Sequence, residues 1–280
     1  MKWRSGLRKN FEIKMMLEYI KQMVCRAQFV LFLICMIVAS AKSQNRRSDH
    51  NTIGWFSING HFKLSSKWSF TSDFHWRRSE FVQIGMHNIL RNSLNYHFNP
   101  KLQARLGYAF IDNFPYGDYP INAFGKPFKE HRLFETILMT DKIGIFDISH
   151  RWVMEQRWVG RYSNTSLEKE DQFPLVHRAR YMVRLQLPLG KKQIENNTPY
   201  LAVYDELIVG FGKNIGENVY DQNRLGLIIG YKFNPLFRLE AGYLNHIQQL
   251  GREVDNKNVF QYNQGVIMNM WFNIDWSKNK

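Results

Sequence analysis

The feature that most constrains this chain is its period. From about Asp49 onward, apolar and polar residues alternate one by one in long runs. In LQARLGYAFI, Leu102, Ala104, Leu106, Tyr108 and Phe110 face one way, and Gln103, Arg105, Gly107 and Ala109 the other. In RARYMVRLQL, Tyr181, Val183, Leu185 and Leu187 oppose Arg178, Arg180, Arg184 and Gln186. In WSFTSDFHWR, Trp68, Phe70, Phe74 and Trp76 oppose Thr71, Asp73, His75 and Arg77. The last run sets Met268, Met270, Phe272, Ile274 and Trp276 against Asn269, Asn273 and Asp275. A period of two is a strand, because successive side chains leave opposite faces of an extended backbone. Soluble strands average about five or six residues. These runs reach the roughly 9–11 that a tilted strand needs to cross a bilayer.

Eleven such runs occur, near 52–62, 67–78, 86–98, 101–112, 131–140, 145–160, 177–188, 199–211, 222–233, 237–248 and 260–276. Their connections alternate. LSSK, NPK, DKIG and NPL are short, whereas 112–131, 161–176, 212–221 and 249–259 are long; GKKQIENNT at 190–198 is longer than its fellow turns. Short turns at one end and long loops at the other fit an all-β, antiparallel up-and-down transmembrane β-barrel, with the short turns periplasmic. Bacterial single-chain barrels have even strand numbers, and the first and last runs point the same way. Closure therefore predicts twelve strands, the extra one within 44–51, with ten as the fallback. The runner-up, a soluble barrel or sandwich, would bury the aromatic face as core. Tyr96, Phe98, Tyr231 and Phe233 stand just before Asn-Pro turns and Trp276 near the end of the last run, where an interfacial girdle belongs. YHFNPKLQARLGY from Tyr96 and YKFNPLFRLEAGY from Tyr231 share Tyr, Phe, Asn-Pro, Gly and Tyr at equal spacing, and read as one turn used twice.

Upstream, Phe29 to Ala39 form an unbroken apolar run preceded by Lys14, Lys21 and Arg26 and followed by ASAKSQ. This is the basic, apolar, small-residue order of a secretory signal. The run is shorter than the roughly 20 residues of a spanning helix. Residues 1–43 are expected to be a signal peptide cut after Ser43, or secondly after Ala41, with residues 44–280 as one barrel domain. The basic stretch is long for such a signal, so Met15, Met16 or Met23 is a candidate start. Both cysteines, Cys25 and Cys35, fall in the leader, which removes disulfides and thiol chemistry from the barrel. The leader holds eight Lys/Arg and two Asp/Glu, so subtracting +6 from the chain's +14 leaves +8 after it.

The polar face carries charge of both signs. Arg91, Arg105, Arg151, Glu155, Arg157, Arg178, Arg180, Arg184, Glu206, Arg224, Arg238 and Glu240 fall in register as a ladder that would line the lumen, with Arg77, Asp73, Asp147 and Glu135 beside it. A small barrel is filled by its own side chains, and an unpaired buried charge is costly. One reading is therefore a charge-paired plug, with Glu155 accepting from Arg157, Arg178, Arg180 or Arg184. The other is an anion-favouring pore, because arginine outnumbers acid. An enzyme that modifies lipid or lipopolysaccharide is a third reading with thin support. Ser149 and His150 are adjacent and face opposite ways. Ser93 and His97 share a face about 13 Å apart. No G-x-S-x-G occurs. His87, His97, His131, His150, His177 and His246 show no ligand spacing, so neither metal nor other cofactor is expected. Expected partners are outer-membrane lipids, lipopolysaccharide and the barrel-assembly machinery, not nucleic acid; the oligomeric state is left open.

The run HRLFETILMTDKIGIFDISHRWVMEQRW, then YDELIVGFG, DQNRLGLIIGYKF and RLEAGY, resembles the family catalogued as domain of unknown function 2490 over nearly all of the chain after the leader. The Arg-x-x-x-Glu-x-Arg strand and the Asp-Gln-Asn-Arg strand start carry the likeness. It implies an outer-membrane barrel of Gram-negative bacteria and brings no activity with it.

Overall fold

The computed structural model describes residues 46–279. The expected signal peptide and its cleavage site lie outside the described residues. The alternating runs become eleven strands: β1 (Arg47–Lys63), β2 (Trp68–Ser79), β3 (Ile84–Asn99), β4 (Leu102–Asn113), β5 (Phe128–Ile143), β6 (Phe146–Val159), β7 (Leu175–Pro188), β8 (Thr198–Phe211), β9 (Tyr220–Lys232), β10 (Phe237–Glu253) and β11 (Asn258–Asp275). Neighbours in sequence pair antiparallel, and the sheet closes on itself. A 3-10 turn, Trp276–Asn279, follows β11.

The strand number corrects the expected twelve, and ten as well. The parity rule holds for a barrel closed by an antiparallel pair. Here the seam is parallel: Arg47 to Lys63 of β1 run beside Val259 to Asp275 of β11. Residues 47–51, expected as a separate strand, are simply the start of β1. Parallel pairing is slightly weaker per residue than antiparallel, and polar side chains reinforce it. Ser57 Oγ donates to Asn269 Oδ1 at 2.7 Å, and Asn59 Nδ2 donates to the Met270 carbonyl at 3.1 Å. Gly265 faces Ile53 across the seam, where a Cβ would collide with the Ile53 main chain. An odd strand count also sends the two ends of the barrel chain to opposite rims: Arg47 starts among the long loops, and Asp275 ends among the short turns.

The short turns follow from local chemistry. Asn99 Oδ1 accepts from Lys101 N at 2.8 Å, and Asn234 Oδ1 accepts from Leu236 N at 2.9 Å. The two similar hairpins thus share one Asx turn, with proline fixing the residue between. Gly144 closes the DKIG turn at φ 61°, a conformation that costs glycine nothing.

The two barrel faces differ sharply. Leu106, Ile58, Leu90, Leu227 and Ile229 point outward and are exposed, Leu106 at 61% and Ile229 at 66%. Outward aromatics gather near both rims. At the short-turn rim Phe62 packs on Trp276 with ring centroids 4.6 Å apart, Trp68 on Tyr96 at 4.9 Å, and Phe237 on Phe272 at 5.2 Å. At the other rim Phe56 packs on Trp76 at 5.5 Å and Tyr220 on Phe260 at 6.2 Å.

Candidate functional site

The inward face is where this chain places its chemistry. Glycines on the wall let aromatic rings lie flat against it. Gly107 faces Phe134, Gly226 faces Tyr204 and Gly230 faces Tyr200 across adjacent strands, and in each pair a Cβ on the glycine would meet the ring. Rings that recline on the wall do not fill the centre.

A network of ion pairs occupies the middle of the barrel. Glu155 Oε1 accepts from Arg180 Nη1 at 2.8 Å and Arg132 Nη1 at 3.1 Å, while Oε2 accepts from Arg178 Nε at 2.7 Å. Glu206 gathers Arg180 at 2.7 Å, Arg151 at 2.8 Å and Arg224 at 3.2 Å. Glu130 takes Arg157 at 2.6 Å and Arg132 at 2.7 Å, and Asp221 takes Arg178 at 2.9 Å. Toward the short turns, Glu240 binds Arg184 at 2.6 Å and the Tyr200 hydroxyl at 2.6 Å. Asp73 binds Arg91 at 2.7 Å. Several of these bonds skip strands. Arg151 on β6 reaches β8, Arg178 on β7 reaches β9, and Arg184 on β7 reaches β10. They are chords across the interior, so the lumen is braced and narrowed by charge.

All twelve residues of the sequence-read ladder sit on this inward face, but not all are paired. Arg91, Arg151, Glu155, Arg157, Arg178, Arg180, Arg184, Glu206, Arg224 and Glu240 are brought into ion pairs. Arg238 lies 3.8 Å from Glu240 and stacks over Trp271. Arg105 has no carboxylate within ion-pair distance among the described residues. Arg157 is drawn to Glu130 and makes no bond to Glu155. Glu135 corrects the sequence reading: it is exposed on the outward face beside Gln156, between inward Phe134 and Thr136. Sequence reasoning missed Glu130, Arg132 and Asp221. β5 begins at Phe128, three residues before the run near 131–140, and Asp221 stands just before the run near 222–233. Extending the alternation backward reaches Asp221; Glu130 and Arg132 also require the opposite parity for β5, since placing Glu135 inward turns them outward.

Between this network and the long loops lies a chamber of about 630 Å³. Ile89, Ala109, Ile111, Phe134 and Val153 line it as one apolar cluster across β3 to β6. Arg77, Arg91, Arg105 and Arg224 line it as well. The β4–β5 loop crosses its mouth. Tyr116 Oη donates to Gln261 Oε1 at 2.8 Å, Tyr119 N to Asp49 Oδ2 at 3.3 Å, and Arg252 Nη2 to the Pro120 carbonyl at 2.8 Å. The loop leaves β4 and β5 and is tied to β1, β10 and β11 on the far wall.

One serine–histidine cluster stands apart, near the short turns. Ser69 Oγ lies 2.9 Å from His97 Nε2 and 3.0 Å from His61 Nε2, and accepts from Asn95 Nδ2 at 3.1 Å. The sequence pairing of Ser93 with His97 missed it, because the partners come from three strands. Ser93 instead bonds Asn95 at 3.3 Å. Ser69 is fully buried, and neither histidine has a carboxylate partner among the described residues. No group of metal-ligating side chains occurs among the described residues.

A family model described as Protein of unknown function (DUF2490) matches residues 52–257, from within β1 to the loop before β11. No curated protein and no solved structure matches the chain.

Proposed function

The chain belongs to the DUF2490 family of proteins of unknown function, and we propose that it is an outer-membrane β-barrel whose arginine-rich interior favours anions. The observation that carries this reading is the charge balance on the inward face. Eleven arginines (Arg77, Arg91, Arg105, Arg132, Arg151, Arg157, Arg178, Arg180, Arg184, Arg224 and Arg238) share the interior with seven carboxylates (Asp73, Glu130, Asp147, Glu155, Glu206, Asp221 and Glu240), with Arg47 and Asp49 at the long-loop rim. Eleven minus seven leaves +4 in a narrow space bounded by low dielectric. A fixed positive surplus there raises the local concentration of anions and repels cations.

Membrane placement rests on the outer face. Exposed Leu, Ile and Val between two aromatic rims suit hydrocarbon between two interfaces and suit water poorly. Closure removes every strand edge, as lipid requires. Residues 1–43 would direct export, and the partners would be outer-membrane lipids, lipopolysaccharide and the machinery that inserts barrels. Fractionation tests the location: the protein should run with the outer membrane, shift on gels when heated, and begin near Gln44. Recovery in the soluble periplasm refutes it. A planar-bilayer recording in a KCl gradient tests the interior. The reversal potential should show anion preference, and cation preference refutes the reading.

A second reading, a lipid- or lipopolysaccharide-modifying enzyme, draws on Ser69 between His61 and His97. Full burial of the hydroxyl and the lack of an orienting acid weigh against it. Labelling by a fluorophosphonate probe, lost in Ser69→Ala, would favour the enzyme.

A further inference from the structure

Two arginines that line the chamber, Arg77 and Arg105, have no carboxylate partner among the described residues, and of the two Arg77 is the one that stacks on an indole. Its guanidinium lies 3.7 Å from the Trp55 ring centroid. Its Nε has no hydrogen-bond partner, and no carboxylate reaches it among the described residues. Arg224 approaches the same ring at 5.2 Å, is 7% exposed, and also leaves Nε unpartnered. The nearby acids are committed: Glu206 holds three arginines and Glu130 two. Two guanidiniums thus converge on one indole with one unneutralised charge between them. Confined donors of this kind bind an acid group more strongly than water-exposed ones do.

The rest of the chamber wants something else. Ile89, Ile111, Phe134 and Val153 form an apolar wall facing the same 630 Å³ space. Each of these side chains leaves 9% or less of its surface open, so the wall has little water to displace; it offers van der Waals contact and no hydrogen-bond partner, which suits an apolar body and not a polar one. The volume lies within the roughly 300–1,000 Å³ of small-molecule sites.

We propose that the chamber binds an amphipathic organic carboxylate, its acid group on Arg77 above Trp55 and its apolar body against the Ile89–Ile111–Phe134–Val153 wall. The proposal rests on the anion-favouring reading of the interior and names the class of anion. A ligand there sits beneath the β4–β5 loop, so it would enter from the long-loop rim.

Titration calorimetry on the full barrel in lipid nanodiscs tests this, with empty nanodiscs as control. Three probes separate the parts: 2-naphthoate carries head and body, acetate the head alone, 2-naphthalenemethanol the body alone. The expected result is saturable 2-naphthoate binding to one site, with acetate and the alcohol each at least tenfold weaker. Arg77→Gln should weaken 2-naphthoate at least tenfold. Equal binding by acetate, no saturable 2-naphthoate binding, or undiminished binding to a folded Arg77→Gln overturns the proposal. The probe series on the unaltered protein decides the matter even if that variant does not fold. Reversal potentials separate the two readings. Saturable 2-naphthoate binding in a barrel without anion preference keeps the chamber and removes the pore. Anion-selective current without such binding removes the chamber alone.

Discussion

Replacing Glu155 by alanine is the sharpest test of the charge-braced interior. The Glu155 side chain is 3% exposed and accepts from Arg132, Arg178 and Arg180. Removing one partner from a buried ion pair costs about 3–5 kcal/mol, because it leaves charge without compensation. Here each stranded arginine keeps one acid: Arg132 keeps Glu130, Arg178 keeps Asp221 and Arg180 keeps Glu206. The cost should therefore fall near the low end, about 3 kcal/mol. Glu155→Gln separates charge from shape, since it keeps the volume but turns an amide N–H toward an arginine; it should cost nearly as much as alanine. The second site decides which arginine is coupled. Glu155→Ala with Arg180→Ala should recover about 1–2 kcal/mol, because Glu206 retains Arg151 and Arg224. Glu155→Ala with Arg157→Ala should recover nothing, because Arg157 serves Glu130. Urea midpoints of the refolded barrel in detergent, read by the gel shift of unheated samples, supply the numbers. A Glu155→Ala midpoint within about 0.5 kcal/mol of the parent, or rescue by Arg157→Ala rather than Arg180→Ala, refutes the reasoning.

Three further outcomes are expected. Leu106→Arg sets a charge on the exposed outer face and should cost about 2–4 kcal/mol in a bilayer, whereas Arg105→Leu, which breaks no ion pair, should leave insertion intact; the reverse order in a liposome-folding assay would invert the two faces. Ser57→Cys with Asn269→Cys should form an intramolecular disulfide on mild oxidation, seen as faster migration on a non-reducing gel, because the 2.7 Å contact between these side chains exists only if β1 meets β11; failure to cross-link would argue against the parallel seam. Tyr116→Phe removes the bond to Gln261, costs about 1 kcal/mol, and should speed chymotrypsin cleavage after the exposed Phe124 without changing the gel shift.

How much of this was legible follows from what periodicity can carry. Alternation reports which face a residue takes, so the eleven runs, the inward arginines and outward Leu106 could be read from the chain alone. The shared direction of the first and last runs could also be read. Whether those two strands meet directly or through a twelfth could not, because no local pattern records it. The expected twelfth strand came from imposing parity on a chain that closes by a parallel ladder. Run ends were weaker than run centres. Phe128-Lys129-Glu130 falls within the long connection read at 112–131, and placing Glu135 inward turns Glu130 and Arg132 outward, so Glu130, which anchors Arg132 and Arg157, goes unseen.

The pairing of charges was less legible than their direction, for a geometric reason. On a flat sheet a residue's partners are its cross-strand neighbours, and Glu155 with Arg178 obeys that rule. Inside a barrel the wall curves, and long side chains reach across. Arg151 finds Glu206 two strands away, and Arg184 finds Glu240 three strands away. Spacing along one strand misleads in the same way: Arg157 stands two residues from Glu155, yet the tilt of β6 brings it to Glu130 on β5. The Ser69 cluster draws its histidines from β1 and β3. What no pattern could show is which arginines are left without an acid. Arg77 alternates like any other inward arginine, and only the closed ring shows that every nearby acid is already held, which leaves its charge to face the chamber.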